Sequence, residues 1–167
     1  MKLNIAILTL SDTRSLENDT SGDYLQSQFL LDHHLQDRKL CKDNKYLIRA
    51  LVSEWIANPQ IQVILLTGGT GFYSTDVTPE AIQPLFDREV PGFGEMFRYI
   101  SHTEIGMSTI QSRAIAGIAN KTLIFSLPGS SGACRTAWEH IIGPQLNQDT
   151  KPCNFVCHLD RLPLSLR

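Results

Sequence analysis

Three short, mostly apolar stretches constrain the fold of this chain more than any other feature. They run from Ile5 to Leu10, from Ile61 to Leu66 and from Thr122 to Leu127, and each ends in a polar or glycine-containing loop. Strands without strict alternation of apolar and polar residues are typical of parallel sheets, because helices cover both faces of such sheets. The three stretches are therefore predicted to be buried strands of one sheet.

Helical patterns separate these strands. Apolar residues between Leu47 and Ile56 recur every three to four positions, as in a helix packed on a sheet. Asp43 or Asn44 is predicted to cap that helix, and Thr78 is predicted to cap another one. The same kinds of signal predict helices over residues 21–33, 92–102, 108–118 and 130–142, the last closed by Gly143-Pro144, and a weak strand over 38–41.

This alternation of strands and helices predicts the α/β class. The expected fold is a three-layer α/β/α sandwich around a mostly parallel sheet. A chain of 167 residues suits one domain with its own core. Residues 1–150 are predicted to form that domain, and residues 151–167 an irregular C-terminal tail packed on the domain or on an oligomer.

Composition narrows the function classes. The chain has 15 Lys and Arg against 17 Asp and Glu, which argues against a nucleic-acid partner held by a general positive field. Its apolar runs are shorter than a membrane helix, and its apolar start is too short for a signal peptide, so we expect a cytoplasmic protein without a membrane partner. The four cysteines are expected to be reduced thiols, with a metal site at Cys153-x-x-x-Cys157-His158 as the alternative.

The three strands end in residues suited to ligand binding. Ser11-Asp12, the Thr67–Gly71 loop and Pro128-Gly129-Ser130 follow the first, second and third strand, respectively. The carboxyl ends of parallel strands lie at the same edge of a sheet, where α/β proteins bind their ligands. The three turns are therefore predicted to form one site.

The loop Thr67-Gly68-Gly69-Thr70-Gly71 is the strongest candidate. Three glycines leave backbone N–H groups open to an anion such as phosphate, and the hydroxyls of Thr67 and Thr70 add donors. The chain has neither the lysine motif of a P-loop nor the glycine fingerprint of a dinucleotide fold. The alternative is a tight turn that needs glycine only for its geometry.

Two carboxylates complete the predicted site. Asp76 follows the glycine loop, and Asp43 follows the weak second strand. A carboxylate beside a phosphate loop is compatible with its ligand when Mg²⁺ lies between them. In the alternative interpretation, each aspartate only caps a turn or a helix.

The turn Pro128-Gly129-Ser130 also precedes a predicted helix, whose free N–H groups favour an anion. Ser11 and Asp12 are weaker signals, since both types are common in loops. Arg98, Arg113 and Arg135 are predicted to lie on helices with ion pairs at a subunit contact. Phe93, Met96 and Phe97 are assigned to the core, with a partner-facing stripe as the alternative.

Six motifs follow one another along the chain. They are Thr67–Gly71, Asp76-Val77-Thr78-Pro79-Glu80-Ala81, Pro91-Gly92-Phe93-Gly94-Glu95, Leu127–Ser130, Ala133-Cys134-Arg135-Thr136-Ala137-Trp138 and Pro152-Cys153-Asn154-Phe155. In this order and spacing they resemble the molybdopterin-binding family that includes MoaB and MogA, and the last two look particularly like the MoaB branch. The resemblance runs from about Ile5 to Leu146, almost the whole chain.

The resemblance implies a fold, a reaction and an assembly. It implies an α/β sandwich, a homotrimer or homohexamer, and binding of molybdopterin, a pterin with a dithiolene and a terminal phosphate. Active relatives adenylylate that phosphate with ATP and Mg²⁺ and release pyrophosphate. It assigns catalysis and the metal to Asp43 and Asp76. It assigns ligand binding to Ser11, Asp12, Thr67, Gly68, Gly69, Thr70, Gly71, Pro128, Gly129 and Ser130.

Two departures from the pattern of active relatives keep other functions open. Thr75 stands where active members often carry a basic residue, and Asp43 lacks a second acid after it. The first expectation is a molybdopterin adenylyltransferase. The alternatives are a non-catalytic molybdopterin carrier or storage oligomer, and an assembly protein that has lost the site.

Overall fold

One mixed sheet organises the fold of residues 2–159, the part of the chain described by the structure, which is a computed structural model. Within these residues the sheet has six strands. In chain order they are β1 (Asn4–Leu10), β2 (His34–Cys41), β3 (Val63–Thr67), β4 (Arg88–Glu89), β5 (Ile115–Ala119) and β6 (Thr122–Leu127). Their spatial order is β2-β1-β3-β6-β5-β4.

The sheet is mostly parallel, as predicted. β2, β1, β3 and β6 run in one direction, while β5 and β4 are antiparallel. The helix predicted over 108–118 is wrong, because Gly106–Gln111 forms a 3₁₀ turn and Ile115–Ala119 forms β5. Asn120 and Lys121, with φ of 45° and 68°, make the two-residue hairpin that returns β5 onto β6.

Helices cover both faces of this sheet. The α-helices of the described residues are α1 (Thr20–Phe29), α2 (Lys45–Ala57), α3 (Thr78–Ile82), α4 (Pro91–Ile105), α5 (Ser131–Ala137), α6 (Gly143–Leu146) and α7 (Val156–Leu159). Among the predicted elements, α4 begins and ends within three residues of the predicted positions, whereas α1 ends four residues before its predicted end and β2 begins four residues before its predicted start. The chain continues from α5 into α6 through one π-helical stretch, Trp138–Ile142, so Gly143-Pro144 does not end the helix as predicted.

The buried side chains form two cores, one on each face of the sheet. Strand β1 shows the division, since Ile5 and Ile7 belong to one core and the intervening Ala6 and Leu8 to the other. Helices α1, α4 and α5 pack on the first face, and α2 and α3 on the second. This arrangement confirms the predicted α/β fold with a helical layer on either side.

The N-termini of α2 and α3 test two predictions about capping residues. Asn44 caps α2, because its Oδ1 accepts from the N–H groups of Tyr46 and Leu47 at 3.0 and 3.1 Å. Asp43 is therefore free of the capping role that was its alternative interpretation. The predicted cap at Thr78 is wrong: Val77 precedes the helix, and the Thr78 hydroxyl is used elsewhere.

The first part of the predicted tail is packed on the domain. Val156 and Leu159 of α7 are buried in the same core as α1 and α4. The tail residues 160–167 lie outside the described residues. No helix among residues 2–159 is long and apolar enough to cross a membrane.

Candidate functional site

The three predicted turns meet at the carboxyl edge of the parallel strands. Hydrogen bonds join the turn after β3 to the turn after β6. Thr67 Oγ1 donates to the Pro128 carbonyl at 3.0 Å, and the Gly68 N–H donates to the Leu127 carbonyl at 2.9 Å. The Thr67 hydroxyl is therefore buried between the turns and holds them together.

The glycine loop has a backbone that other residues cannot readily adopt. Gly68 and Gly69 have φ of +116° and +65°. A Cβ on Gly68 would lie 2.3 Å from the Leu10 carbonyl oxygen, so β1 closes directly against the loop. The Thr78 hydroxyl donates to the Gly68 carbonyl at 2.9 Å. Glycine is required here for close packing, and the loop is held rigidly as a result.

Arg14 joins the turn after β1 to the turn after β6. Its Nη2 donates to the Gly129 carbonyl at 3.3 Å and its Nη1 to Ser21 Oγ at 3.2 Å. The Ser11 hydroxyl accepts from the backbone N–H of Arg14 at 3.1 Å and orients this segment. Sequence analysis missed Arg14. The available signal was a guanidinium three residues after Ser11 in a strand-end loop.

A cavity of about 730 Å³ opens at these turns, within the size range of small-molecule sites. Nine of the twelve predicted site residues line it. They are Ser11, Gly68, Gly69, Thr70, Gly71, Asp76, Pro128, Gly129 and Ser130. A second part of the lining, contributed by α4, the 3₁₀ turn and α5, was not predicted as a site. Its members include Phe97, Ser101, Glu104, Ile105, Thr109 and Thr136.

The other three predicted residues lie close behind the lining. Thr67 is buried between the turns, as described above. Asp12 Oδ1 accepts from the Asp43 N–H at 3.3 Å, which places the two aspartates side by side.

Ser130, although it lines the cavity, also caps α5, since its Oγ accepts from the Ala133 N–H at 3.2 Å.

The carboxylate of Asp43 has one buried oxygen without a hydrogen-bond partner. This oxygen, Oδ1, lies 3.1 Å from where a Cβ on Gly69 would be. Burial, and then repulsion from Asp12 and Asp76, raise the pKa of Asp43 above its ordinary value. The folded protein thus holds Asp43 close enough to Asp12 and Asp76 for both to oppose its charge, beside a loop suited to phosphate.

Asp76 is held in a defined orientation at the end of the glycine loop. Its Oδ2 accepts from the Tyr73 N–H at 2.8 Å. Arg113 fixes the same loop, because its Nε donates to the Gly71 carbonyl at 2.9 Å and its Nη2 to the Asp76 carbonyl at 2.7 Å. Arg113 also forms an ion pair with Glu80. Arg113 lies between the 3₁₀ turn and β5, so its predicted position on a helix is wrong. Its ion pair with Glu80 lies within the chain.

Asp43 and Asp76 could hold a magnesium ion as phosphate-handling sites do, with one or two carboxylates from the protein and the other ligands from the substrate. Among residues 2–159 no three His, Cys, Asp or Glu side chains form a metal site on their own. Mg²⁺ needs only one or two carboxylates, since substrate phosphates and water supply the remaining oxygens. The unpaired Oδ1 of Asp43 and the carboxylate of Asp76 are the oxygens that would hold it.

The cysteines are free thiols in the described residues, and Cys41 and Cys134 are buried. Burial raises the pKa of Cys134 to about 11, which keeps it protonated beside Thr67. Cys153 and Cys157 are exposed.

A glycine-lined cavity at the strand ends of a parallel sheet defines a class of proteins that hold phosphorylated small molecules. The comparisons specify the family. The chain matches the model described as "Probable molybdopterin binding domain" over residues 6–148, and it belongs to that family.

Its relatives are molybdenum cofactor biosynthesis proteins. The chain is 60% identical over 158 residues to Molybdenum cofactor biosynthesis protein B of Escherichia coli K12, covering 94% of this chain and 93% of that protein. A crystal structure of a Molybdenum cofactor biosynthesis protein B aligns with TM-score 0.89 at 39% identity, over 96% of this chain and 98% of that one. MoaB of Pyrococcus furiosus, described as a tungsten cofactor synthesizing protein, aligns with TM-score 0.77 at 33% identity, over 85% and 91%. These matches confirm the resemblance inferred from the motifs.

Proposed function

We propose that this protein binds molybdopterin in the strand-end cavity and adenylylates its terminal phosphate with ATP and Mg²⁺. The observation that carries the proposal is the charge cluster of Asp12, Asp43 and Asp76 beside the glycine loop. The buried, unpartnered oxygen of Asp43 and the repulsion of Asp43 by Asp12 and Asp76 disfavour its charged form unless a cation offsets them. A divalent cation and phosphates are the ligands that this arrangement suits.

The proposed reaction is a phosphoryl-type transfer in which the chain supplies positioning and charge. An oxygen of the molybdopterin phosphate attacks the α-phosphorus of ATP, the bond to the β-phosphate bridging oxygen breaks, and pyrophosphate leaves with that electron pair. The N–H groups of the glycine loop beyond Gly68, whose N–H is used by Leu127, and the Arg14 guanidinium hold phosphate oxygens. Mg²⁺ between Asp43 and Asp76 would supply charge neutralisation of the phosphates. The rigid turns keep the two substrates aligned.

A non-catalytic molybdopterin carrier is the second candidate, and the charge of the lining favours it. Arg14 is the single Lys or Arg among the lining residues of the described chain, against the carboxylates of Asp76 and Glu104. One guanidinium suits a single phosphate better than a triphosphate, unless Mg²⁺ offsets the charge of ATP. The two candidates therefore differ in whether the metal and ATP are bound.

The test is a turnover assay with purified protein, molybdopterin, ATP and Mg²⁺, following adenylylated molybdopterin and pyrophosphate. The adenylyltransferase proposal requires both products in equal amounts and none when Mg²⁺ is chelated. Molybdopterin binding without either product would select the carrier. The proposal places this activity in the cytoplasm, where ATP is available and thiols stay reduced.

We also propose that the protein is a homotrimer or homohexamer. Five large apolar side chains on α4 and the following 3₁₀ turn are 48–73% exposed, and monomers rarely leave such a stripe uncovered. They are Met96, Tyr99, Ile105, Met107 and Ile110.

Light scattering at micromolar concentration is expected to give three or six times the mass of the chain. Replacing Ile110, which is 64% exposed, by Glu should lower that mass, because the charge would be buried at the contact. Leu31, 87% exposed and outside the stripe, gives the matched control Leu31→Glu. A monomeric wild-type protein would contradict the proposal.

A further inference from the structure

Glu104 brings a second carboxylate to the cavity lining, away from Asp76 at the glycine loop. It lies in the last turn of α4 and lines the cavity together with Thr136 of α5. No ion pair joins its carboxylate to a Lys, Arg or His side chain within residues 2–159. A carboxylate repels phosphate unless a cation lies between them, and Glu104 lies on α4 rather than beside Asp43 and Asp76 at the glycine loop, so we place it outside the phosphate-binding part of the site.

The Glu104 carboxylate is nevertheless held in place. Thr136 Oγ1 lies 3.0 and 2.9 Å from its two oxygens and 3.1 Å from the Gly132 carbonyl, and Thr136 is only 3% exposed. A hydroxyl has one proton to donate, so it occupies at most one of the carboxylate lone pairs at a time. The remaining lone pairs stay available to a ligand with N–H donors.

The charges of the lining are therefore divided between two places. Arg14, the glycine N–H groups and Asp76, whose charge Mg²⁺ would offset, belong to the strand-end turns, whereas Glu104 belongs to the helical part of the lining. The complementary ligand carries an anion at one end and paired N–H donors at the other. Phe97 and Ile105, which line the same helical part, supply apolar contact for a flat ring.

The pterin ring of molybdopterin has such donors. Its N3–H and its 2-amino group point in the same direction, side by side, and match the two oxygens of one carboxylate. We propose that Glu104, oriented by Thr136, accepts hydrogen bonds from the N3–H and 2-amino group and selects the pterin ring. This inference rests on the molybdopterin binding in the proposed function, but not on adenylyl transfer.

The first experiment compares molybdopterin affinity in two variants of α4. Glu104→Gln keeps the size of the side chain but replaces one acceptor by a donor, so the dissociation constant should rise about tenfold or more. Glu95, an exposed carboxylate on the same helix and outside the cavity lining, gives the control Glu95→Gln with unchanged affinity. Affinity for inorganic phosphate should be unchanged in both variants, because neither side chain contacts the phosphate.

The second experiment tests recognition of the 2-amino group by measuring how well two ring analogues displace molybdopterin. 6-Hydroxymethylpterin should displace molybdopterin about tenfold better than 6-hydroxymethyllumazine, whose 2-oxo group replaces the 2-amino donor. Glu104→Gln should lose that preference while Glu95→Gln keeps it.

Three results would overturn the inference: equal affinity of wild type and Glu104→Gln for molybdopterin, no preference between the two rings, or no displacement by either. Pterin selectivity without adenylylated product would instead leave the inference standing and remove the adenylyltransferase. Product formation without pterin selectivity would overturn the inference and leave the adenylyltransferase proposal standing.

Discussion

Asp76→Asn is expected to leave the fold intact and to lower adenylyl transfer by about a hundredfold or more, since it removes a carboxylate ligand of Mg²⁺. Asparagine has the same shape and keeps an oxygen that can accept from the Tyr73 N–H, so the turn after Gly71 should persist. The rate of product formation at saturating molybdopterin and ATP measures the effect. Asp149→Asn, an exposed aspartate outside the cavity lining, is the control.

Asp43→Asn should separate function from stability more sharply. The raised pKa of Asp43 means that the folded state disfavours its charge, through burial first and then through Asp12 and Asp76. A neutral amide relieves this repulsion, so the free energy of unfolding should stay equal or rise while turnover falls. Wild-type turnover in either variant would remove that aspartate from the proposed metal site.

Asp19→Ala is expected to cost about 3–5 kcal/mol of stability, as for other buried ion pairs that lose one partner. Asp19 is fully buried and accepts from Thr9 Oγ1 at 2.7 Å, the Gly22 N–H at 3.0 Å and Arg38 Nη2 at 2.8 Å. Without it, Arg38, whose side chain is 14% exposed, loses its buried partner and keeps the exposed Asp23, and Arg14 loses its ion pair with Asp19 at 3.8 Å. Urea denaturation without ligand measures the change in unfolding free energy.

Asp23 offers the matched control for this variant. It pairs with the same guanidinium at 2.7 Å, but its side chain is 59% exposed. Asp23→Ala should therefore cost less than about 1 kcal/mol, because solvent screens an exposed pair. Equal losses in the two variants would show that burial of Asp19 is not the source of the effect.

The pH dependence of stability follows from the same network. Burial alone would raise the pKa of Asp19, but the bonds from Thr9, Arg38 and Gly22 outweigh it, and the pKa lies below its ordinary value. The folded state therefore binds fewer protons at Asp19 than the unfolded state does. This stabilisation is complete above the ordinary pKa of an aspartate and is lost as the pH falls through the lowered value. Asp19→Ala should show a flatter loss of stability in acid than the wild type.

The parts of this protein that sequence alone predicted are those with a local physical cause. Apolar runs specified three parallel strands, because burial on both faces leaves no room for alternation. The chain between strands carried helix periodicity, and the positions of the glycine loop and its neighbouring turns followed from where the strands end. The hairpin at Asn120-Lys121 was missed, because the Ala-rich segment of β5 also fits a helix period and only pairing with β6 distinguishes the two.

Tertiary structure decided which charges have partners. Sequence spacing left both Asp43 and Asn44 as candidates for the cap of α2, and hydrogen bonds to Asn44 resolved the choice. Neither the repulsion of Asp43 by Asp12 and Asp76 nor the contact of Glu104 with Thr136 could be predicted from local spacing. A charge interacts with whatever the fold brings within a few ångströms, and those neighbours come from distant parts of the chain. Sequence therefore determined where the site lies, whereas the electrostatics within it depended on the packing of α4 and the strand-end loops.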